Sequence, residues 1–89
     1  METQNQPGMK FPLEIRLRVI GHNTEDFPDF VLERLRQFFP YLKDEAIDWR
    51  PSHGGKYLAI HAALMAESQE QLDAIFRDLS AQKQVLYII

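Results

Sequence analysis

The chain contains no cysteine among its 89 residues. A disulfide framework, a cysteine-based zinc site and a thiol nucleophile are therefore excluded. A long apolar run is missing too. Met1 to Gly8 are polar and lack the stretch that a secretory signal or a membrane span needs, so a cytoplasmic protein with no membrane partner is expected. Nor is there a surplus of positive charge. Thirteen acidic residues outnumber ten basic ones, for a formal net charge of −3, which weighs against a nucleic-acid partner. Binding to a phosphate backbone rests on Lys and Arg. What remains is ordinary for one small domain: 45% of the residues are hydrophobic and 26% charged. A domain of this size buries ~60–65% of its unfolded surface and can hold a real core.

The most telling stretch is Pro51-Ser52-His53-Gly54-Gly55-Lys56-Tyr57, followed by the alternating run Leu58 to Leu64. It reads as two strands joined by a tight turn, because Gly-Gly accepts the positive φ values that such a turn requires. Upstream, Leu13, Ile15, Leu17 and Val19 alternate with Glu14, Arg16 and Arg18, the period of a strand with one buried face. Gly21-His22-Asn23-Thr24 is expected to break that strand.

A helix is predicted from about Asp26 to Phe39, with Pro28 in its first turn and Phe27, Phe30, Val31, Leu35 and Phe38 as its apolar stripe. Pro40 ends it. A strand over roughly Ala46 to Pro51 puts Ile47 and Trp49 on one face. After the turn, the strongest strand runs from Tyr57 to Met65. Ser68 and Gln71 form a capping-box pair for a second helix, whose stripe is Leu72, Ile75, Phe76 and Leu79. Val85 to Ile89 is an apolar β segment.

The order is βαββαβ. It predicts an α+β, ferredoxin-like sandwich: a four-stranded antiparallel sheet with two helices on one face. Residues 1–10 read as a flexible lead-in and residues 11–89 as the single domain.

Several short motifs now stand in order: Phe11-Pro12 before the first strand, Val19-Ile20-Gly21 at its end, Pro51-Ser52-x-x-Gly55-x-Tyr57, then Glu70-Gln71, Leu79 and a terminal strand around Val85. In this the chain resembles the YbeD-like family of small, uncharacterised bacterial proteins, over nearly its whole length from Phe11 onward. The resemblance implies a fold similar to the regulatory ACT domains, which bind amino acids and other small molecules, usually at dimer interfaces. It implies no catalytic residues. In ACT-like folds the loop after the first strand contributes to the effector pocket, which makes Gly21, His22 and Asn23, with Arg16, the candidate ligand-binding residues. Turn chemistry alone also accounts for these residue types.

The sheet face away from the helices is the second candidate. With Leu58, Ile60, Ala62 and Leu64 turned to the core, Tyr57, Ala59, His61, Ala63 and Met65 point outward. Arg16 and Arg18 should lie beside them, so Arg18, Tyr57, His61 and Met65 form a candidate interaction face for a protein partner. The same residues could stack RNA bases, yet Ala59 sits where a second aromatic ring would serve.

No catalytic arrangement appears. There is no Ser/His/Asp set, no paired carboxylates and no phosphate-binding Gly-Lys motif, and residues 20–26 lack the arginine that acylphosphatase chemistry needs. His22, His53 and His61 have no ligand spacing, so no metal and no cofactor are expected. A regulatory module acting through a small-molecule effector or a protein partner is the expectation. The apolar last strand belongs at a sheet edge and predicts a homodimer.

Overall fold

A computed structural model describes residues 10–89. The lead-in expected over residues 1–10 lies outside the described residues, apart from Lys10. Seven elements follow: β1 (Leu13–His22), α1 (Phe27–Phe38), a 3-10 turn (Asp44–Ala46), β2 (Ile47–Pro51), β3 (Tyr57–Ala66), α2 (Gln69–Ser80) and β4 (Val85–Ile88). All strand pairs are antiparallel, and the sheet order is β2-β3-β1-β4. This is the expected ferredoxin-like arrangement, with the two longest strands, of ten residues each, at its centre.

Alternation along the central strands decides what is inside. Leu17 and Val19 of β1 are buried opposite Ala62 and Ile60 of β3, and Leu58, Leu64 and Ala66 continue the row. Phe27, Val31 and Leu35 of α1 and Leu72, Ile75 and Leu79 of α2 cover that face. Each fully buried side chain of this kind contributes about 1.5–3 kcal/mol of burial free energy, before the entropy of ordering the chain is counted. Arg34 of α1 grips Asp78 of α2 through one edge of its guanidinium, with Nε donating to Oδ2 over 2.8 Å and Nη2 donating to Oδ1. The pair fixes the helices side by side over the sheet.

Helix boundaries follow the expected signals. Pro28 occupies the first turn of α1, and the Phe39 N–H donates to the Leu35 carbonyl just before Pro40. Ser68 Oγ accepts from the Gln71 N–H, while Gln71 Oε1 reaches back to the Glu67 N–H, one residue before the cap.

Two expectations need correction, and a third needs a qualification. β1 does not break at Gly21 but continues through His22, because Gly21 and His22 still pair with Leu58 and Tyr57 of β3. Phe76, expected in the apolar stripe of α2, is 38% exposed, since Leu72, Ile75 and Leu79 already fill the contact with the sheet. Trp49 does share a face with Ile47, opposite Ile60 and Ala62, but at the edge strand it stays partly exposed.

Candidate functional site

The loop after β1 is stitched shut by its own residues. Gly21 is buried within the strand, and a Cβ there would collide with the Phe27 ring and the Gln84 carbonyl. Glycine at this position lets α1 and the chain before β4 approach β1 closely. The Asn23 backbone N–H donates to the Lys56 carbonyl over 3.0 Å, and its side-chain amide donates to the Gly55 carbonyl over 2.9 Å. Asn23 thereby ties the end of β1 to the β2–β3 hairpin, whose tip is Gly54 and Gly55 with φ of 87° and 76°. Ser52 closes the same hairpin: its N–H donates to the Tyr57 carbonyl and its Oγ accepts from the Tyr57 N–H. Thr24 Oγ1 donates to Asp26 Oδ1, and the exposed His22 ring sits 5.5 Å from the Tyr57 ring.

Arg16 belongs to a different place. It lies six residues before His22 on the same strand, about 20 Å away at the rise of an extended chain. The four residues Gly21, His22, Asn23 and Arg16 therefore do not converge on one pocket.

The open face of the sheet has its own geometry. Across it, Asp48, His61 and Arg18 stand in one row on β2, β3 and β1. Arg18 also exchanges both backbone hydrogen bonds with Ile89, which extends the row past β4. The next rows pair Arg16 with Ala63 on one side, and Arg50 with Ala59 and Ile20 with Tyr87 on the other. Short alanines beside long arginines leave a trough. The result is a hollow of about 530 Å³ lined by Arg16, Arg18, Arg50 and His61, with the wall from Glu45 to Asp48 along one side.

Charges inside this hollow are unevenly partnered. Arg50 Nε donates to Asp48 Oδ2 over 3.0 Å, and the Trp49 N–H donates to Asp48 Oδ1 over 2.9 Å. Mainly through the Arg50 bond, the Asp48 carboxyl is held below its ordinary range. Among the described residues neither Arg16 nor Arg18 has an ion-pair partner. His61 is half-buried between them and Arg50. Its pKa is lowered, first by desolvation and then by Arg50 and Arg18, with Asp48 pulling the other way.

Of the expected interaction face, Arg18 and His61 thus meet directly. Tyr57 lies at one end of β3 against His22, and Met65, 56% exposed, lies at the other end opposite Glu14. Eight residues of strand, about 26 Å, separate the two. Met65 instead borders a second hollow of about 400 Å³, beside Phe39, Tyr41 and Leu42.

Sequence reasoning passed over Arg50, Asp48 and the wall at Ala46. The signal for the first two was present, since they alternate with Ile47 and Trp49 and so had to share the outward face. Among the described residues no group of His, Asp and Glu is arranged to hold a metal ion. No helix of the described residues is long and apolar enough to cross a membrane.

Comparison with known proteins adds the family. The chain is similar to a UPF0250 protein of Ralstonia nicotianae, 32% identical over 81 residues, covering 91% of this chain and 84% of that one. It is 30% identical to a UPF0250 protein of Paraburkholderia phymatum over the full length of both. Among solved structures, the solution structure of protein HP0495 from H. pylori superposes with a TM-score of 0.75, covering 94% of this chain and 88% of that one at 19% identity. That likeness speaks for the fold alone. Residues 6–89 match the family model described as "Protein of unknown function (DUF493)". With nearly the whole chain matched, the protein belongs to DUF493, the YbeD-like family to which the UPF0250 proteins also belong.

Proposed function

We propose that the protein is a small regulatory binding module that works from its open sheet face, holding an anionic partner and carrying out no bond chemistry. The observation that carries this reading is the pair Arg16, beside Ala63, and Arg18, beside His61, both exposed and without ion-pair partners among the described residues. Two residues apart on one strand face, their Cα atoms lie about 6–7 Å apart. Like charges at such spacing repel, and a bound anion relieves the repulsion. The lining of the hollow includes no hydroxyl or thiol nucleophile, which favours binding over turnover. The module then acts by shifting an equilibrium between assembled states toward the one that binds better.

Self-association belongs to the same reading. The edge strand β4 is made of the apolar residues Val85, Leu86, Tyr87 and Ile88, whereas β2 at the opposite edge is blunted by Asp48, Arg50 and Pro51. Charges and proline guard an edge against pairing, and β4 lacks both, so a second copy is proposed to pair there. Light scattering at micromolar concentration should show a species near twice 10.4 kDa. A lone monomer would remove this part.

The main test compares the Arg16→Glu/Arg18→Glu double variant with His22→Ala. Protein purified from its own host should carry a partner or metabolite that native mass spectrometry detects. The double variant should lose it and His22→Ala should keep it. If loss follows His22 instead, the working surface is the β1–α1 loop and this reading fails.

A further inference from the structure

The open-face reading leaves the chemistry of the anion unspecified, and the charges around the hollow narrow it. Three guanidiniums and His61 gather in about 530 Å³, a volume within the ~300–1,000 Å³ usual for small-molecule sites. Just outside the cationic centre the charge reverses. Glu45 and Asp48 stand on the wall, and Glu14 stands beside Met65 at the next outward position of β1. An acidic protein surface covers about 800 Å² per partner in a standard interface and would run onto all three carboxylates. A compact anion avoids them. Arg50 is already bonded to Asp48, which leaves Arg16 and Arg18 as the pair without an ion-pair partner among the described residues, with only the methyl group of Ala63 beside Arg16 on the neighbouring strand.

We propose that the hollow seats a compact oxyanion, the carboxylate or phosphate group of a small molecule, between the Arg16 and Arg18 guanidiniums, and that His61 takes up a proton as it binds. This rests on the open-face reading above. His61 stands directly opposite Arg18 on β1 and Asp48 on β2. The other charged groups facing it are Arg16 on β1, Arg50 on β2 and Glu45 in the 3-10 turn. Partial burial and the cations around the hollow disfavour a charged imidazole. An anion seated against Arg18 offsets that positive field, so the ring accepts a proton more readily. By reciprocity, protonated His61 holds the anion more tightly. A single histidine in this position makes retention of the ligand rise as pH falls through the neutral range.

Two-dimensional NMR of the full chain tests this with sulfate, which keeps its charge across the neutral range, and with succinate. At constant ionic strength one or both anions should shift the Arg16, Arg18 and Ala63 amides saturably. Sulfate alone points to a phosphate-type ligand, and succinate alone points to a carboxylate. Sulfate should bind about fivefold or more tighter near pH 5.5 than near pH 8, the scale of an ordinary coupling, whereas succinate is compared only above about pH 6.5, where both its carboxyls stay ionised. His61→Gln should keep binding at the higher pH and lose that gain. The comparison matters because the whole chain becomes more positive on acidification, which helps any anion in both proteins alike. A gain that survives His61→Gln overturns the proton uptake. If neither anion shifts the amides while the Arg16→Glu/Arg18→Glu variant still loses a host protein, the small-molecule assignment falls and the open face stands. If neither anion binds and the double variant loses nothing, both fall together.

Discussion

The β1–α1 loop and the open-face hollow are both built from polar residues at the ends and faces of the same strand, yet they have opposite economies of hydrogen bonding. In the loop the side chains of Asn23, Thr24 and Asp26 already have partners. Asn23 holds the hairpin tip, Thr24 meets Asp26, and the Phe27 ring fills the space that Gly21 leaves. In the hollow, Arg16 and Arg18 stand without ion-pair partners among the described residues, and the short side chain of Ala63 leaves room beside Arg16. A satisfied polar cluster stabilises a fold; an unsatisfied, exposed one with space beside it is free to bind. Residue type does not separate the two cases, whereas bonding partners do.

The sharpest way to break this comparison is Gly21→Val. If the loop is closed by packing, the added side chain must push against the Phe27 ring and the Gln84 carbonyl. It should cost about 3 kcal/mol, the upper range for overpacking a tight site, seen as a lower urea midpoint with an unchanged slope. A stability equal to that of the parent protein would show the loop to be open after all. For the same reason Gly21→Val is a poor probe of ligand binding, since it disturbs the fold first.

Asn23→Ala comes next. It removes the side-chain bond to the Gly55 carbonyl and should cost about 1 kcal/mol in urea unfolding, with faster amide exchange at Lys56 and Gly55. No change in exchange at the hairpin would mean that Asn23 is not its clamp.

On the open face the expected pattern is reversed. Arg16→Gln and Arg18→Gln should each change stability by no more than about 0.5 kcal/mol, as exposed substitutions do, while removing anion binding. A large stability loss would mean that these arginines are structural and already partnered.

The smallest effect is electrostatic. His61 has its pKa depressed in the folded chain below the ordinary value near 6.5, so the unfolded chain binds the proton more readily. Its stabilising contribution is therefore complete above about pH 6.5 and is lost as pH falls through that value toward the folded one. His61→Gln should flatten the acid side of the stability profile between about pH 7 and 5. An unaltered profile would place His61 in a more solvated setting than the cations around it imply.

Much of the architecture is legible in the sequence. The alternation of Leu13 to Val19, the helical spacing in α1 and α2 and the Gly54-Gly55 turn each encode a local period or a local dihedral demand, and such demands are written in neighbouring residues. Phe76 was misplaced because helical spacing names a stripe wider than the contact the sheet allows. Gly21 reads as a loop residue in the sequence because its reason for being glycine, the Phe27 ring and the Gln84 carbonyl, lies six and 63 residues away. Arg16 was grouped with the loop although extended geometry alone separates it from His22.

The sequence by itself determined the element order, the turn that pairs β2 with β3, and which side of each central strand is apolar, because these follow from periods of two and 3.6 residues. Only the tertiary structure decided which polar residues are already bonded and which are free. That choice depends on strands and loops distant in sequence meeting in space. Arg18 faces His61 across 43 residues, and Asn23 reaches Gly55 across 32. No local pattern records such meetings.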